Sequence, residues 1–118
     1  MATARGEAGR RAEALAVAFL RARGLPIVER NFRCRRGEID IIARDGETLV
    51  FVEVRLRSRA DYGGAAASIT TGKRARMAAA ALYYLGRLGR APPCRFDAVL
   101  LDTLDAPRIE WLRDIMGA

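Results

Sequence analysis

Two apolar-rich stretches, residues 37–43 and 49–55, lie close together in the first half of the chain. Each is short, rich in Ile and Val and bounded by turn residues, which is typical of β-strands. Asp45 and Gly46 between them favour the positive φ angles of a two-residue hairpin turn. With that pair as the whole loop, the expected opposed residues are Arg44 and Glu47, Ile42 and Leu49, Asp40 and Phe51, and Glu38 and Glu53.

The hairpin is expected to carry its charges on one face, because opposed residues of a hairpin share a face. That face would hold Glu38, Asp40, Glu53 and Arg55 beside Ile42, Leu49 and Phe51, and is therefore expected to be half-buried. The other face is wholly apolar and is expected to be core: Ile39, Ile41, Ala43, Val50, Val52 and Val54. Two carboxylates about 5 Å apart repel by roughly 3 kcal/mol at an effective dielectric near 20. Such a cluster requires a proton, an arginine or a metal ion, unless it is a solvated face neutralised by Arg55.

Two amphipathic helices are predicted, one on each side of the hairpin in the sequence. The first runs to about Arg23 and ends at Gly24. Its buried stripe is formed by Ala12, Leu15, Ala16, Phe19 and Leu20. The second runs from about Thr71 to Leu88, with Thr70 as the N-cap. Its buried face is formed by Met77, Ala78, Ala81, Leu82 and Leu85.

Two charged positions on these helices face inward or nearly so. Glu13 falls on the margin of the first apolar stripe and can lean toward a sheet face, although a glutamate at such a position is more often solvated. Lys73 begins the inward stripe of the second helix, one turn before Met77. Lys73, Arg74 and Arg76 lie at the positive end of that helix dipole, where a bound anion would offset their repulsion.

Further strands are predicted around Ile27 and Val28, over residues 96–101 and over Ile109–Leu112. The resulting order is helix, three strands, helix, strand, strand. We therefore expect an α/β sandwich in which helices flank a mixed central β-sheet, as a single domain over residues 1–118.

The charge balance points to a partner. The chain has 21 basic and 14 acidic residues, a net charge of +7, which favours a polyanion and nucleic acid first. The clustered cations that would bind a phosphate backbone are Arg33, Arg35, Arg36, Arg57, Arg59, Lys73, Arg74 and Arg76. A solvated surface and an acidic protein partner are the alternatives, and the oligomeric state, a homodimer included, stays open.

The chain lacks histidine and any Cys-x-x-Cys pair, which excludes zinc sites and histidine-based catalysis. Cys34 and Cys94 are expected to be reduced thiols. A metal would have oxygen ligands, which favours magnesium or manganese. Because no apolar stretch approaches the roughly 20 residues of a membrane span, we expect no membrane contact and a cytoplasmic location.

A series of motifs along nearly the whole chain resembles the YraN-like bacterial family, whose members are assigned to an endonuclease-like fold. The motifs are Gly9, Glu13-Ala14-Leu15-Ala16, Phe19-Leu20, Gly24, Arg30-Asn31-Phe32-Arg33, Gly37-Glu38-Ile39-Asp40-Ile41-Ile42-Ala43, Phe51-Val52-Glu53-Val54-Arg55, Gly72-Lys73 and Arg95-Phe96-Asp97. The acidic strand, turn and Glu-x-Arg strand also resemble the PD-(D/E)xK nuclease superfamily. The spacing from Asp40 to Glu53 is similar to that of archaeal Holliday-junction resolvases.

This resemblance implies a restriction-endonuclease-like fold with Mg²⁺ or Mn²⁺ held by Glu13, Asp40 and Glu53. The superfamily's catalytic lysine falls on Arg55, which departs from the superfamily pattern. An arginine keeps its proton at all working pH values and cannot act as a base. Lys73, the single lysine, can instead reach the cleft from the second helix.

The sequence therefore predicts a metal-dependent nuclease that hydrolyses phosphodiester bonds in DNA or RNA. Asp40 and Glu53 would hold the ion, Glu38 would tune the site, and Arg55 or Lys73 would supply the catalytic cation. The alternatives are a nucleic-acid-binding protein that does not cleave and a basic protein-interaction module.

Overall fold

The order of elements follows the predicted one. A computed structural model describes residues 6–56 and 69–116 of the chain. Its elements are α1 (Gly6–Ala22), β1 (Ile27–Cys34), β2 (Gly37–Asp45), β3 (Thr48–Leu56), α2 (Thr71–Leu88), β4 (Cys94–Leu101) and β5 (Ile109–Leu112). The strand predicted around Ile27 and Val28 is longer than expected, because it continues to Cys34. Arg57 and Arg59 lie outside the described residues.

The five strands form one sheet in the order β1-β2-β3-β4-β5. Neighbouring strands are antiparallel except β3 and β4, which are parallel and are connected through α2. The predicted mixed sheet with flanking helices is therefore confirmed. This architecture is consistent with the restriction-endonuclease-like class of α/β folds.

The two helices cover opposite faces of the sheet. Buried residues that alternate along β2 and β3 belong to different apolar clusters, and alternating residues of a strand point to opposite faces. The cluster under α1 includes Ala16, Leu20, Ile41, Ala43, Val50, Val52, Val54 and Val99. The cluster under α2 includes Phe32, Ile39, Ile42, Leu49, Phe51, Ala80, Ala81 and Tyr84. No helix in residues 6–56 or 69–116 has the length and apolar character to cross a membrane.

The hairpin register differs from the predicted one. The loop consists of Gly46 and Glu47, so Asp45 pairs with Thr48 and Arg44 with Leu49. Gly46 has φ of +63° at the first loop position, which is where a type II′ hairpin turn requires glycine. The predicted pairing of Arg44 with Glu47 is therefore wrong, as are the pairings that followed from it.

Two predictions about the faces of the hairpin are also wrong. Ile39 packs with Phe32 in the cluster under α2, whereas Ile41 packs under α1, so alternation along β2 is interrupted between them. The face expected to be half-buried is covered by α2, and its residues Phe51 and Ile42 are completely buried. The interruption lies beside Asn31 of β1, which has a left-handed φ of 56°.

Helix α2 begins and ends as predicted. The Thr70 side chain accepts a hydrogen bond from the Lys73 N–H, and Gly89 ends the helix with φ of 77°. Met77 and Ala81 are buried, whereas Leu82 is 71% exposed, which contradicts its predicted burial. The inward positions that replace it are Ala80 and Tyr84.

Asp97 of β4 connects several elements at the β5 edge of the sheet. Its fully buried carboxylate accepts hydrogen bonds from Arg95 Nε at 3.0 Å, Trp111 Nε1 at 2.9 Å and Asp114 N at 2.9 Å. The hydrogen bonds to Asp97 raise the pKa of Arg95, against the opposing effect of partial burial. These hydrogen bonds connect β4 to β5 and to the segment that follows β5. The Asp97 carboxylate therefore has a structural role.

Candidate active site

An open cavity of about 380 Å³ lies where the N-terminal part of α1, the end of β3 and the first turn of α2 meet. Its wall carries the charged groups of Arg33, Glu38, Glu53, Arg55 and Lys73, and Ala8, Gly9 and Ala12 form the α1 side. The structure thus brings together five of the predicted charged residues at one end of the sheet.

Glu53 is the central carboxylate of this cavity. It is 1% exposed, and Lys73 Nζ lies 3.0 Å from its Oε2, with Arg55 Nη1 3.9 Å from the same atom. Oε2 makes these ionic contacts without a well-aligned hydrogen bond. An ammonium group rotates freely and needs only proximity to stabilise a carboxylate. The ion pair with Lys73 therefore places a positive charge on Glu53 at the wall of the cavity.

Lys73 reaches Glu53 because α2 begins close to the sheet. The cap at Thr70 fixes the first turn of the helix, and Gly37 of β2 lies directly against the backbone of Arg76. A side chain at position 37 would occupy the same space as the Arg76 carbonyl. Glycine at this one position thus permits the approach that places the lysine, whose side chain is 23% exposed.

Asp40 is 1% exposed, like Glu53, but it does not line this cavity. Its Oδ2 accepts a hydrogen bond of 2.8 Å from the backbone N–H of Val54 on the neighbouring strand. The β2–β3 pairing ends at Ile41–Val52, and Asp40 is the next residue of β2. Because Val54 directly follows Glu53, the hydrogen bond from Val54 N–H holds the Asp40 carboxylate against β3 next to Glu53.

Glu13 is also buried, on α1, with 2% exposure. Its Oε1 accepts hydrogen bonds from Arg30 Nη2 at 2.9 Å and from Asn31 Nδ2 at 3.0 Å. Its Oε2 is buried and has no hydrogen-bond partner among the residues that the structure describes. The sequence analysis did not predict Asn31 as a site residue. Asn31 has a left-handed φ of 56°, and asparagine adopts this conformation more often than most residues, which was the available signal.

The donor set is compatible with a magnesium-type ion, although the carboxylates are not preassembled. Among the described residues, no group of three or more acidic, cysteine or histidine side chains is arranged to hold a metal. Mg²⁺ keeps several water ligands and is often held by one or two carboxylates together with substrate phosphates. Asp40 and Glu53 supply two buried carboxylates on neighbouring strands, which is the number of carboxylates in such a site. The assignment of Glu13 as a third ligand stays a prediction.

A second, shallower cavity of about 290 Å³ adjoins the first and is strongly basic. It is lined by Arg33, Arg35, Arg36 and Arg76, around the turn between β1 and β2. Arg33 lies 3.4 Å from Glu38, which is half-exposed and sits at the boundary with the first cavity. These predicted phosphate-binding residues therefore surround the entrance to the Glu53 cavity.

Arg74 of the same predicted group is partly buried. Its Nε is enclosed and has no hydrogen-bond partner in the described part of the chain. It lines none of the basic cavities described above, so the structure separates it from Arg76 and Lys73 on the helix surface.

The chain is similar to members of one protein family. The model of "Uncharacterised protein family UPF0102" matches residues 12–101. A UPF0102 protein of Methylobacillus flagellatus is 53% identical over 107 residues, covering 91% of this chain and 94% of that protein. A UPF0102 protein of Dechloromonas aromatica is 55% identical over 111 residues, covering 93% and 88%. These descriptions name no activity, substrate or metal.

Proposed function

The chain belongs to the uncharacterised protein family UPF0102, and we propose that this member is a metal-dependent nuclease acting on DNA or RNA. The observation that carries the proposal is the contact of 3.0 Å between Lys73 Nζ and the buried Glu53 at the wall of an open cavity. A buried carboxylate beside a lysine ammonium, with a second buried carboxylate on the neighbouring strand, is a costly arrangement. Removing each ion from water costs several kcal/mol, and apolar residues at the same positions would often give equal or higher stability. A function other than stability therefore explains the arrangement better.

Asp40 and Glu53 are the residues that would hold the ion. When bound there, Mg²⁺ or Mn²⁺ would supply an activated water and would offset negative charge on the phosphate. The free Oε2 of Glu13 faces no hydrogen-bond donor among the described residues, which suits a role at the margin of the same site. Arg30 and Asn31 hold the other oxygen of Glu13 and so fix the orientation of the carboxylate.

Lys73 is the better candidate for the catalytic cation. It lies closer to Glu53 than Arg55 does, at 3.0 Å against 3.9 Å. An ammonium group can orient a water molecule and can also give up a proton, whereas a guanidinium remains charged. Arg55 would then bind the phosphate, a task for which its planar fork of donors is suited.

The arginines at the entrance supply the attraction for the nucleic-acid backbone. Arg35 and Arg36 are exposed, and no carboxylate of the described residues forms an ion pair with either. Cations of this kind gain by neutralising phosphates, since counterions are released from the nucleic acid. Binding is therefore expected to be weakly sequence-specific and strongly dependent on salt.

Nuclease activity is tested with labelled branched, duplex and single-stranded DNA and RNA in the presence of Mn²⁺. We expect wild-type cleavage that EDTA abolishes and that Asp40→Asn and Lys73→Ala each reduce by about 100-fold or more, the scale of a lost general acid–base or charge-stabilising group. Arg90→Ala is the matched control, because Arg90 is exposed and lines none of the cavities around the site. Mn²⁺ should also raise the melting temperature of the wild type and not that of Asp40→Asn.

Absence of cleavage with every substrate, together with an unchanged melting temperature in Mn²⁺, would refute the nuclease proposal. One observation favours the second candidate, a nucleic-acid-binding protein that does not cleave. Lys73 contacts the same Glu53 oxygen that a metal ion would use. If this ion pair has replaced the metal, binding to nucleic acid should be the same in EDTA and in Mn²⁺.

A further inference from the structure

An exposed part of α2 combines apolar side chains with neighbouring arginines. Leu82 and Tyr83 are 71% and 56% exposed, although both are large hydrophobic residues. They line a cavity of about 670 Å³ together with Ala79 of α2, with Arg33 and Cys34 at the end of β1, and with Arg35 and Arg36 of the β1–β2 turn. We refer to these seven residues as the arginine–tyrosine track.

The track is continuous with the Glu53 cavity. Its three arginines also line the basic cavity that contains Glu38 and Arg76. Arg33 and Glu38 in turn line the cavity that holds Glu53 and Lys73. A chain molecule that occupied the candidate active site could therefore follow one unbroken surface to Tyr83.

The dimensions of the track suit a short length of one strand. Lys73 and Tyr83 are ten residues apart on α2, and a rise of 1.5 Å per residue separates them by about 15 Å along the axis. At about 3.4 Å per nucleotide of a stacked strand, this distance corresponds to roughly four nucleotides.

The Tyr83 ring has a defined orientation despite its exposure. Its centroid lies 6.2 Å from that of Phe32, and the two ring planes are inclined by 33°. Phe32 is 3% exposed and packs on Tyr84, so it is a rigid support. A tyrosine that is supported in this way keeps much of its surface free for another flat group.

We propose that the arginine–tyrosine track binds an unpaired strand of nucleic acid that continues from the candidate active site, with its phosphates on the arginines and a base against Tyr83. The proposal rests on the proposed function only for the position of the substrate in the Glu53 cavity. It defines the substrate class as nucleic acid with a single-stranded extension.

Two features favour an unpaired strand over other occupants. A duplex presents phosphates and sugars to a flat surface and keeps its bases stacked, so it would leave Leu82 and Tyr83 without apolar contact. Splayed bases stack on aromatic side chains, and arginines beside them bind the backbone. A second copy of this chain would bring its own arginines against Arg35 and Arg36, and like charges oppose that contact.

The test is fluorescence anisotropy in EDTA, so that binding is measured without cleavage. The probes are a blunt duplex and the same duplex with a DNA or an RNA tail of about 10 nucleotides, longer than the roughly 15 Å track. We expect tighter binding of the tailed probes. Tyr83→Ala should weaken tailed binding by between about 5-fold and about 100-fold, the value of one base–aromatic stack, and should leave blunt-duplex binding unchanged.

Tyr83→Phe should keep the tail preference, because it keeps the ring. Leu88→Ala is the matched control, since Leu88 is exposed on the same helix but lines none of the three cavities. The DNA and RNA tails distinguish the two nucleic acids by which binds tighter. Because Tyr83 is exposed, a melting temperature close to that of the wild type should accompany each variant.

The proposal is overturned if Tyr83→Ala weakens blunt and tailed probes equally, or weakens neither. It is also overturned if Tyr83→Ala converts a dimer into a monomer in sedimentation and leaves the tail preference intact, since the surface would then serve a second copy. A tail preference that depends on Tyr83 in a protein that never cleaves would refute the nuclease function alone. Cleavage without any tail preference would refute the track alone.

Discussion

Replacing Gly37 with alanine tests how closely α2 must approach the sheet. An added Cβ would lie 2.2 Å from the Arg76 carbonyl oxygen and 2.8 Å from its carbonyl carbon, whereas ordinary contacts begin at 3.4 Å. The obstacle is helix backbone, which cannot rotate away as a side chain can. Helix α2 or the β1–β2 turn must therefore move by the shortfall of about 1.2 Å.

The expected cost follows from two opposing effects. Overpacking of this kind lowers the free energy of unfolding by about 1–3 kcal/mol. Alanine also reduces the conformational entropy of the unfolded chain, which raises the free energy of unfolding by about 0.4–1 kcal/mol. Gly37 does not have a left-handed φ, so no further backbone strain arises. The midpoints of the two ranges leave a net loss of about 1.3 kcal/mol, which at about 2.1 cal/mol/K per residue lowers the melting temperature of this chain by roughly 5 °C.

The assay is urea and thermal unfolding of Gly37→Ala beside Gly86→Ala. Gly86 lies inside α2, and no atom lies within 4 Å of the position of its added Cβ. Gly86→Ala should therefore stabilise the protein by about 0.5–1 kcal/mol, the difference between glycine and alanine in a helix. If Gly37→Ala is as stable as the wild type or more so, the close approach of α2 does not constrain the fold and the reasoning fails.

Two further stability predictions concern hydrogen bonds. Asp97→Asn should lower the free energy of unfolding by about 1.5–3 kcal/mol in urea, because the fully buried carboxylate loses the charge of its hydrogen bond with Arg95, whose side chain is 21% exposed. A loss below about 0.5 kcal/mol, similar to that of a surface change, would contradict the structural role of Asp97. Thr70→Ala should cost about 0.5–2 kcal/mol because the Lys73 N–H loses its cap, whereas Thr70→Ser should be close to neutral; equal losses in the two variants would show that the hydroxyl does not stabilise α2.

Features that depend on near neighbours in sequence were predicted well. The bounds of α2, its Thr70 cap and the end of α1 at Gly24 follow from side-chain periodicity and from residues that satisfy helix ends. Strand β5 was predicted over the same residues that form it. Helix periodicity and cap residues act over a few residues, and the sequence therefore contains them directly.

The exact hairpin register could not be read from the turn alone. Either Asp45-Gly46 or Gly46-Glu47 can form a two-residue loop, and the choice depends on how the strands pack under both helices. Even so, Asp40 and Glu53 remained on neighbouring strands in both alternatives.

Composition and local pattern by themselves determined a mixed α/β fold, the absence of histidine, and acidic residues on paired strands beside a basic turn. Only the tertiary structure decided that Glu13, Asp40 and Glu53 are all buried, that Lys73 contacts Glu53, and that Leu82 and Tyr83 are exposed. The last two outcomes depend on where α2 crosses the sheet. That position is set by packing between residues distant in the chain, such as Gly37 and Arg76, and no local pattern encodes it.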